Sequence, residues 1–320
     1  VCSDWLNWNT AWWHSNNSDV KWRYALWDMD ATFDHYINYT SIPDQSATAS
    51  PCGPSAPSVD DPEGHIALLT KLMENDHVRD MYINRYADLN NTYFSCEYMV
   101  ALLDSMYNEL SPEMPRQVAR WGGTVNGWQQ NVIEMRDFIL ERCSYINEGI
   151  ADCTPATGPY TIVFTVNDPN GGTISIDDYI TPSSYPWTGE YFGNTDLPLT
   201  ATANDGYQFA YWEVNNTIVS NLNDPSIIAN LTANDTITAY FSPATVQLTV
   251  VVSPNGAGTI TINGNTINNY PQTFTVPFNQ LLNISAAPSS NCYTFSHWTL
   301  TNNPPLTNPN NNNNSFNIVA

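Results

Sequence analysis

Apolar positions follow one rule in the first half of this chain and another in the second. Before residue 150 they recur at helical spacing. Val78, Met81, Tyr82, Tyr86 and Leu89 share one face of a helix starting near Asp76, and Met99, Leu102, Leu103, Met106 and Leu110 mark another from Cys96. Trp128, Val132, Met135 and Ile139 mark a last one. Start and stop signals agree with this spacing. Asp61 stands as an N-cap before Pro62 for a helix running to Met73, Ser111 precedes Pro112 as a second N-cap, and Trp121-Gly122-Gly123 closes the helix between. The stretch from Lys21 to Phe33 instead begins as a strand, its aromatic and apolar residues suited to a pleated surface.

After residue 160 the period falls to two, and short strand patterns are broken by Gly, Asn and Pro. The expected fold is α+β and multidomain. Residues 1–150 form a mostly helical lobe with a small sheet, 151–159 a linker, and 160–242 and 246–320 two β-rich units, the second incomplete. The two units repeat each other. Pro169-Asn170-Gly171-Gly172-Thr173-Ile174 matches Pro254-Asn255-Gly256-Ala257-Gly258-Thr259-Ile260, and Tyr207-Gln208-Phe209-Ala210-Tyr211-Trp212 matches Tyr293-Thr294-Phe295-Ser296-His297-Trp298. The offset of about 85 residues is domain-sized. Both units resemble divergent internalin-B-type repeats of bacterial surface proteins. That resemblance implies small β-grasp-like modules, an extracellular or cell-surface location, and surface or matrix contacts. Alternate aromatic residues such as 207 and 209 face one way in a strand, so the aromatic triads are expected to be core, with Trp212 and Trp298 both largely buried.

Charge narrows the classes of partner. The 320 residues carry a net charge of −22, and all nine Lys and Arg lie between Lys21 and Arg142. Such a surface repels nucleic acid, and no apolar run is long enough to span a bilayer. The chain opens at Val1 and stops at Ala320 inside an unfinished repeat, so it is expected to be an internal piece of a longer protein. Six cysteines, Cys2, Cys52, Cys96, Cys143, Cys153 and Cys292, show no C-x-x-C spacing and so no zinc site. Cys143 with Cys153 is the leading disulfide pair and Cys52 with Cys96 the weaker one; Cys2 and Cys292 are expected free and buried. With the repeats, this suits an oxidising exterior.

The candidate chemistry lies near the start. Asp4 precedes Asn9 by five positions, the D-x-x-x-x-N spacing of a kinase catalytic loop. Asp28 and Asp30 stand at i and i+2 at the strand's end, where extended backbone puts both carboxylates on one face to share a cation. With Trp12-Trp13 between the two motifs, residues 1–150 resemble the CotH (spore-coat protein H) family of atypical protein kinases. The resemblance implies a kinase-like C-terminal lobe. It assigns Asp4 to the acceptor hydroxyl of a protein substrate, and Asn9, Asp28 and Asp30 to Mg2+ on ATP. A loop-like stretch from Tyr39 to Asp60 then takes the place of an activation segment, the alternative being a disordered surface insertion. His65, in a Pro-Glu-Gly-His stretch similar to one in the family, is read either as a group near the site or, the expected case, as a helix-surface histidine. Arg116 and Arg120 share a helix face that can receive an acidic segment, although a solvated face is expected.

Phosphoryl transfer is therefore the first functional reading, with this stretch alone expected to be inactive because a phosphate-covering loop and its Lys would precede Val1. The alternative is a non-catalytic surface or adhesion protein with a degenerate kinase lobe. In a third reading Asp28-Met29-Asp30 holds a structural Ca2+. No G-x-S-x-G or H-E-x-x-H occurs, which leaves hydrolase readings without a foothold.

Overall fold

The protein is described from a computed structural model, which covers residues 10–16, 21, 23–26, 30–34, 44–50, 64–146, 148–301 and 306–318. Strands β1 (Thr10–Trp13) and β2 (Arg23–Leu26) form an antiparallel pair in which Trp13 faces Arg23. Helices follow. α1 (His65–Met73) starts after Gly64, which takes the left-handed conformation at φ 76°; Asp61 and Pro62 lie outside the described residues. α2 (Asp76–Asn90), α3 (Cys96–Leu110) and α5 (Val125–Tyr145) are capped by Asn75, Ser95 and Thr124, whose side chains accept from Val78, Tyr98 and Gly127 N–H groups. These caps satisfy donors that a helix start leaves unpaired. Ser111 does not cap a new helix. It ends α3 and opens a 3-10 turn to Glu113, and α4 (Met114–Trp121) continues from that turn until Gly122 at φ 89°.

α3 and α5 run side by side, joined by Arg136 to Asp104, by Tyr107 stacked on Trp128 at 5.1 Å, and by a disulfide between Cys96 and Cys143. That disulfide overturns both expected pairings. Antiparallel packing brings residues 47 apart to a Cα separation of 5.7 Å, whereas sequence proximity had favoured Cys153. Cys153 is disulfide-bonded as well, and Cys292 is free but exposed where burial was expected.

α6 (Glu148–Cys153) leads almost directly into β3 (Thr157–Val166), so residues 152–159 are shared between a helix end and a strand start. The first β unit adds β4 (Gly172–Ile176), β5 (Trp187–Gly193), β6 (Leu197–Ala203), β7 (Tyr207–Glu213), β8 (Ser226–Ala229) and β9 (Asp235–Pro243). One sheet has the order β5-β3-β9-β7, with β3 and β9 parallel; the other is β4-β6-β8, antiparallel throughout. Ile162, Phe164, Tyr191, Trp212, Ile237 and Ala239 are completely buried between them. The same core takes in Ile83 and Ala87 of α2 and Ile150 of α6, so the helical part is packed onto this unit.

The second set comprises β10 (Thr245–Val250), β11 (Gly258–Ile262), β12 (Asn265–Ile267), β13 (Gln272–Pro277), β14 (Leu281–Pro288) and β15 (Asn313–Asn317). Its sheets are β10-β13 and β12-β11-β14-β15, around a small core of Val250, Ile260 and Ile267. The molecule is thus α+β: among the described residues the helices lie before residue 154, where β1 and β2 form a small sheet, and the elements after it are strands.

Candidate functional site

The end of β2 is where the sequence places the chemistry. Asp4, Asn9 and Asp28 lie outside the described residues, and Asp30 is the one of the four predicted site residues with a described position. It sits exposed in a turn. Ala31 behind it is buried at 1% exposure, and Phe33 and Asp34 follow with φ 57° and 55°. Left-handed backbone at a phenylalanine is strained unless neighbours hold it. Here the Phe33 ring is held edge-on against Phe138 of α5 at 5.7 Å.

This reversal opens a cleft of about 340 Å3 between the turn, residues 46 and 47, and α5. Asp34, Glu134, Asp137 and Glu141 line it, with no Lys or Arg among its walls. The α5 acids recur at helical spacing, so this lining was readable from sequence once α5 was set beside the turn. Its far wall is the 44–50 stretch. Arg142 donates to the Ala47 carbonyl at 3.0 Å and to that of Ala49, and both alanines are 4% exposed. Burial lowers the Arg142 pKa, and hydrogen bonds from Ser46 hold the Asp44 carboxyl below its usual range. The described part of the long loop, residues 44–50, is therefore docked on α5.

The cleft's polar side chains all carry oxygen donors, the kind a hard cation such as Mg2+ takes, set among the apolar Phe33, Met135 and Phe138. Among the described residues, though, no three His, Cys, Asp or Glu are grouped as metal ligands. An Mg2+ centre here would need further oxygen donors, a chemistry that the residue types of the predicted ligands Asn9 and Asp28 fit.

Other predicted groups fall as follows. His65 is 4% exposed, not on the helix surface, because α1 is buried at its first residue while Leu68, Leu69 and Leu72 of its apolar stripe stay exposed. Arg116 pairs with Glu113 at 3.0 Å and the Arg120 guanidinium lies 5.1 Å from the Trp121 ring, a solvated face. Asp88 of α2 was not anticipated: its side chain is fully buried, and burial, ahead of repulsion from Asp177, pushes its pKa up to about 8. Its Oδ1 accepts from Tyr191 Oη of β5, which ties α2 to the first β unit. Among the described residues no helix is long and apolar enough to cross a membrane.

Comparison with known proteins gives two matches. Residues 3–146 match the CotH kinase protein family, and residues 162–245 match the divergent InlB B-repeat domain. No curated protein and no solved structure gives a significant match.

Proposed function

From a chain whose residues 3–146 belong to the CotH kinase family and whose residues 162–245 form a divergent InlB B-repeat domain, we propose an atypical protein kinase displayed at a bacterial cell surface or secreted. It transfers phosphate from ATP to a hydroxyl of a protein substrate. The observation that carries this reading is the reach of the family match: it covers both the D-x-x-x-x-N and the W-D-M-D motifs. Residues 1–150 are then the C-terminal, kinase-like lobe, and 160–242 and 246–320 are β-grasp-like modules that space or anchor it.

Asp4 orients and deprotonates the acceptor hydroxyl. Asn9, Asp28 and Asp30 hold the magnesium that neutralises the ATP phosphates, because such transfer needs positioned charge more than covalent chemistry. Asp34 and the α5 acids Glu134, Asp137 and Glu141 line a cleft beside the turn that follows Asp30. In the intact protein, Asp28→Asn is expected to lower phosphate incorporation by roughly two or more orders of magnitude. Asp4→Asn should lower the rate and leave ATP affinity nearly unchanged. Measuring ATP binding and phosphate incorporation for both variants is the test. If neither quantity moves in Asp28→Asn, the non-catalytic reading, a surface protein with a structural carboxylate site, takes its place.

A further inference from the structure

One end of α5 holds two separate pieces of the chain that follows β2. Phe138 and Arg142 stand four positions apart, one above the other on the same face of that helix. Phe138 meets the Phe33 ring edge-on at 5.7 Å, in the turn that follows Asp30. Arg142 takes the 44–50 stretch, where its Nη1 donates to the Ala47 carbonyl at 3.0 Å and also to the Ala49 carbonyl. That stretch is itself tightly wound. Ser46 N–H donates to Asp44 Oδ1 at 2.9 Å, and Ala49 N–H to the Ser46 carbonyl at 3.1 Å. Ala31, Ala47 and Ala49 are all buried, so both pieces lie against the protein. Ser46 and Ala47 wall the same cleft as Phe33 and Asp34.

Arg142 differs from the other helix arginines in what it meets. Arg79, Arg116 and Arg136 pair with the carboxylates of Asp76, Glu113 and Asp104. Arg142 instead serves backbone carbonyls of a segment 93 and 95 residues away in sequence. The guanidinium is half-buried; burial works against its charge and the Asp44 carboxylate for it. Its base is fixed, because the neighbouring Cys143 is bonded to Cys96 of α3. Hydrogen bonds from a charged donor are roughly twice as strong as neutral ones, and a buried carbonyl that loses its donor keeps the full cost of its burial. A charged group placed in this way holds a segment more firmly than apolar contact alone.

We propose that Arg142 is a positioning residue for the metal side of the site: by pinning residues 47 and 49 to α5 it steadies the turn at residues 30–34, and with it the Asp30 carboxylate. The inference rests on the kinase reading for what Asp30 does, whereas the pinning stands on the hydrogen bonds alone. Phe33 and Asp34 have φ 57° and 55°, a backbone that a phenylalanine keeps only when its neighbours hold it. Phe138 supports the turn from one side, and the 46–47 wall of the shared cleft closes the other. Releasing that wall removes half of the support. Both bonds leave from one nitrogen, so a lysine ammonium, with three donors, can replace the guanidinium in part.

The test compares Arg142→Met, which keeps the aliphatic stem and removes the donors, with wild type and with Arg142→Lys in the intact protein. Amide hydrogen exchange in Arg142→Met should speed up about tenfold at residues 44–50 and also at 30–34, with the first β unit unchanged. Arg142→Lys should stay within about threefold of wild type, and Arg142→Gln, able to serve one carbonyl, should fall between and carries the test if the methionine variant does not fold. In phosphate incorporation, the half-saturating Mg2+ concentration should rise about tenfold in Arg142→Met, a shift that a general loss of stability does not produce. The proposal is overturned if residues 44–50 loosen and 30–34 do not, or if exchange speeds up equally in all the helices. It is also overturned if Arg142→Lys behaves like Arg142→Met, or if an active protein keeps its Mg2+ requirement. A wild-type protein that incorporates no phosphate defeats the kinase reading instead, and the exchange rates then decide the pinning by themselves.

Discussion

Asp88 shows how a single carboxyl can hold two parts of this chain together. Its Oδ1 accepts from Tyr191 Oη of β5 at 2.9 Å, while its Oδ2 is buried with no hydrogen-bond partner. Arg85 of α2 lies 3.7 Å from that oxygen, 3.7 Å from the Asp177 carboxylate, and 3.6 Å over the Tyr179 ring. Burial raises the pKa of Asp88 to about 8 and that of Asp177 as well, with Asp178 adding repulsion; Tyr191, raised further above its usual value, remains a donor. A carboxyl whose folded pKa exceeds its unfolded one is protonated in the native state while the unfolded chain has released the proton. Stability is thus full below about pH 4, falls by up to about 1.4 kcal/mol per pH unit as pH rises towards 8, and levels off above it. In urea titrations from pH 5 to pH 9, Asp88→Asn should flatten that slope and gain about 1–3 kcal/mol at pH 8, since a neutral amide has no charge to bury. An unchanged slope would show that the proton sits elsewhere.

At the scale of elements, α2 and β9 carry the lesson. The stripe Val78, Met81, Tyr82, Tyr86, Leu89 suggests a buried face, yet Met81 and Tyr82 are 51% and 40% exposed. The buried face is Ile83, Asn84, Ala87, Asp88 and Asn90, largely polar, because α2 packs on a strand edge that needs hydrogen-bond partners. Asn91, just past α2, exchanges two bonds with the Glu190 backbone, at 2.9 and 2.8 Å, and Asn84 donates to the Asp196 carbonyl at 2.7 Å. β9 leaves a different mark, on glycine. A Cβ on Gly172 would run into the Thr202 carbonyl and the Phe241 ring. On the matching Gly258 it would meet the Ala287 carbonyl at 2.7 Å but no aromatic ring. Gly172→Ala should therefore destabilise the first unit by about 1–3 kcal/mol, and Gly258→Ala should cost its unit clearly less. Equal losses in thermal melts would mean that β9 does not set the constraint.

For the whole molecule, the cores predict how it comes apart. One core of more than twenty buried residues runs from α2 and α6 through both sheets of the first unit, while the described part of the second unit buries Val250, Ile260, Ile267, Leu282, Ile284, Leu306 and Ile318. Buried apolar area is the main favourable term in folding, so calorimetry should resolve a small, early transition for residues 245–318 ahead of a larger one. Cys96→Ser opens a loop of 47 residues and should cost about 4 kcal/mol by loop entropy, all of it within the larger transition. A single transition, or a loss falling on the early one, would contradict the division of cores.

Local patterns settle much of this protein before any contact is known. Periods of 3.6 and 2 separate helices from strands, and two motif pairs point to the family and to the repeat, although the caps are Asn75, Ser95 and Thr124 and not the expected Ser111. What escaped sequence reading is non-local. The Cys96–Cys143 bond depends on how α3 lies against α5, and the burial of His65 on where α1 starts. The polar face of α2 depends on the strand edge it covers, and Trp298, expected to be largely buried, is partly exposed where Trp212 is completely buried. The acidic wall opposite Asp34 joins residues about a hundred positions apart, which spacing alone cannot bring together. Spacing specifies the neighbours along one element; only packing decides which faces of different elements meet.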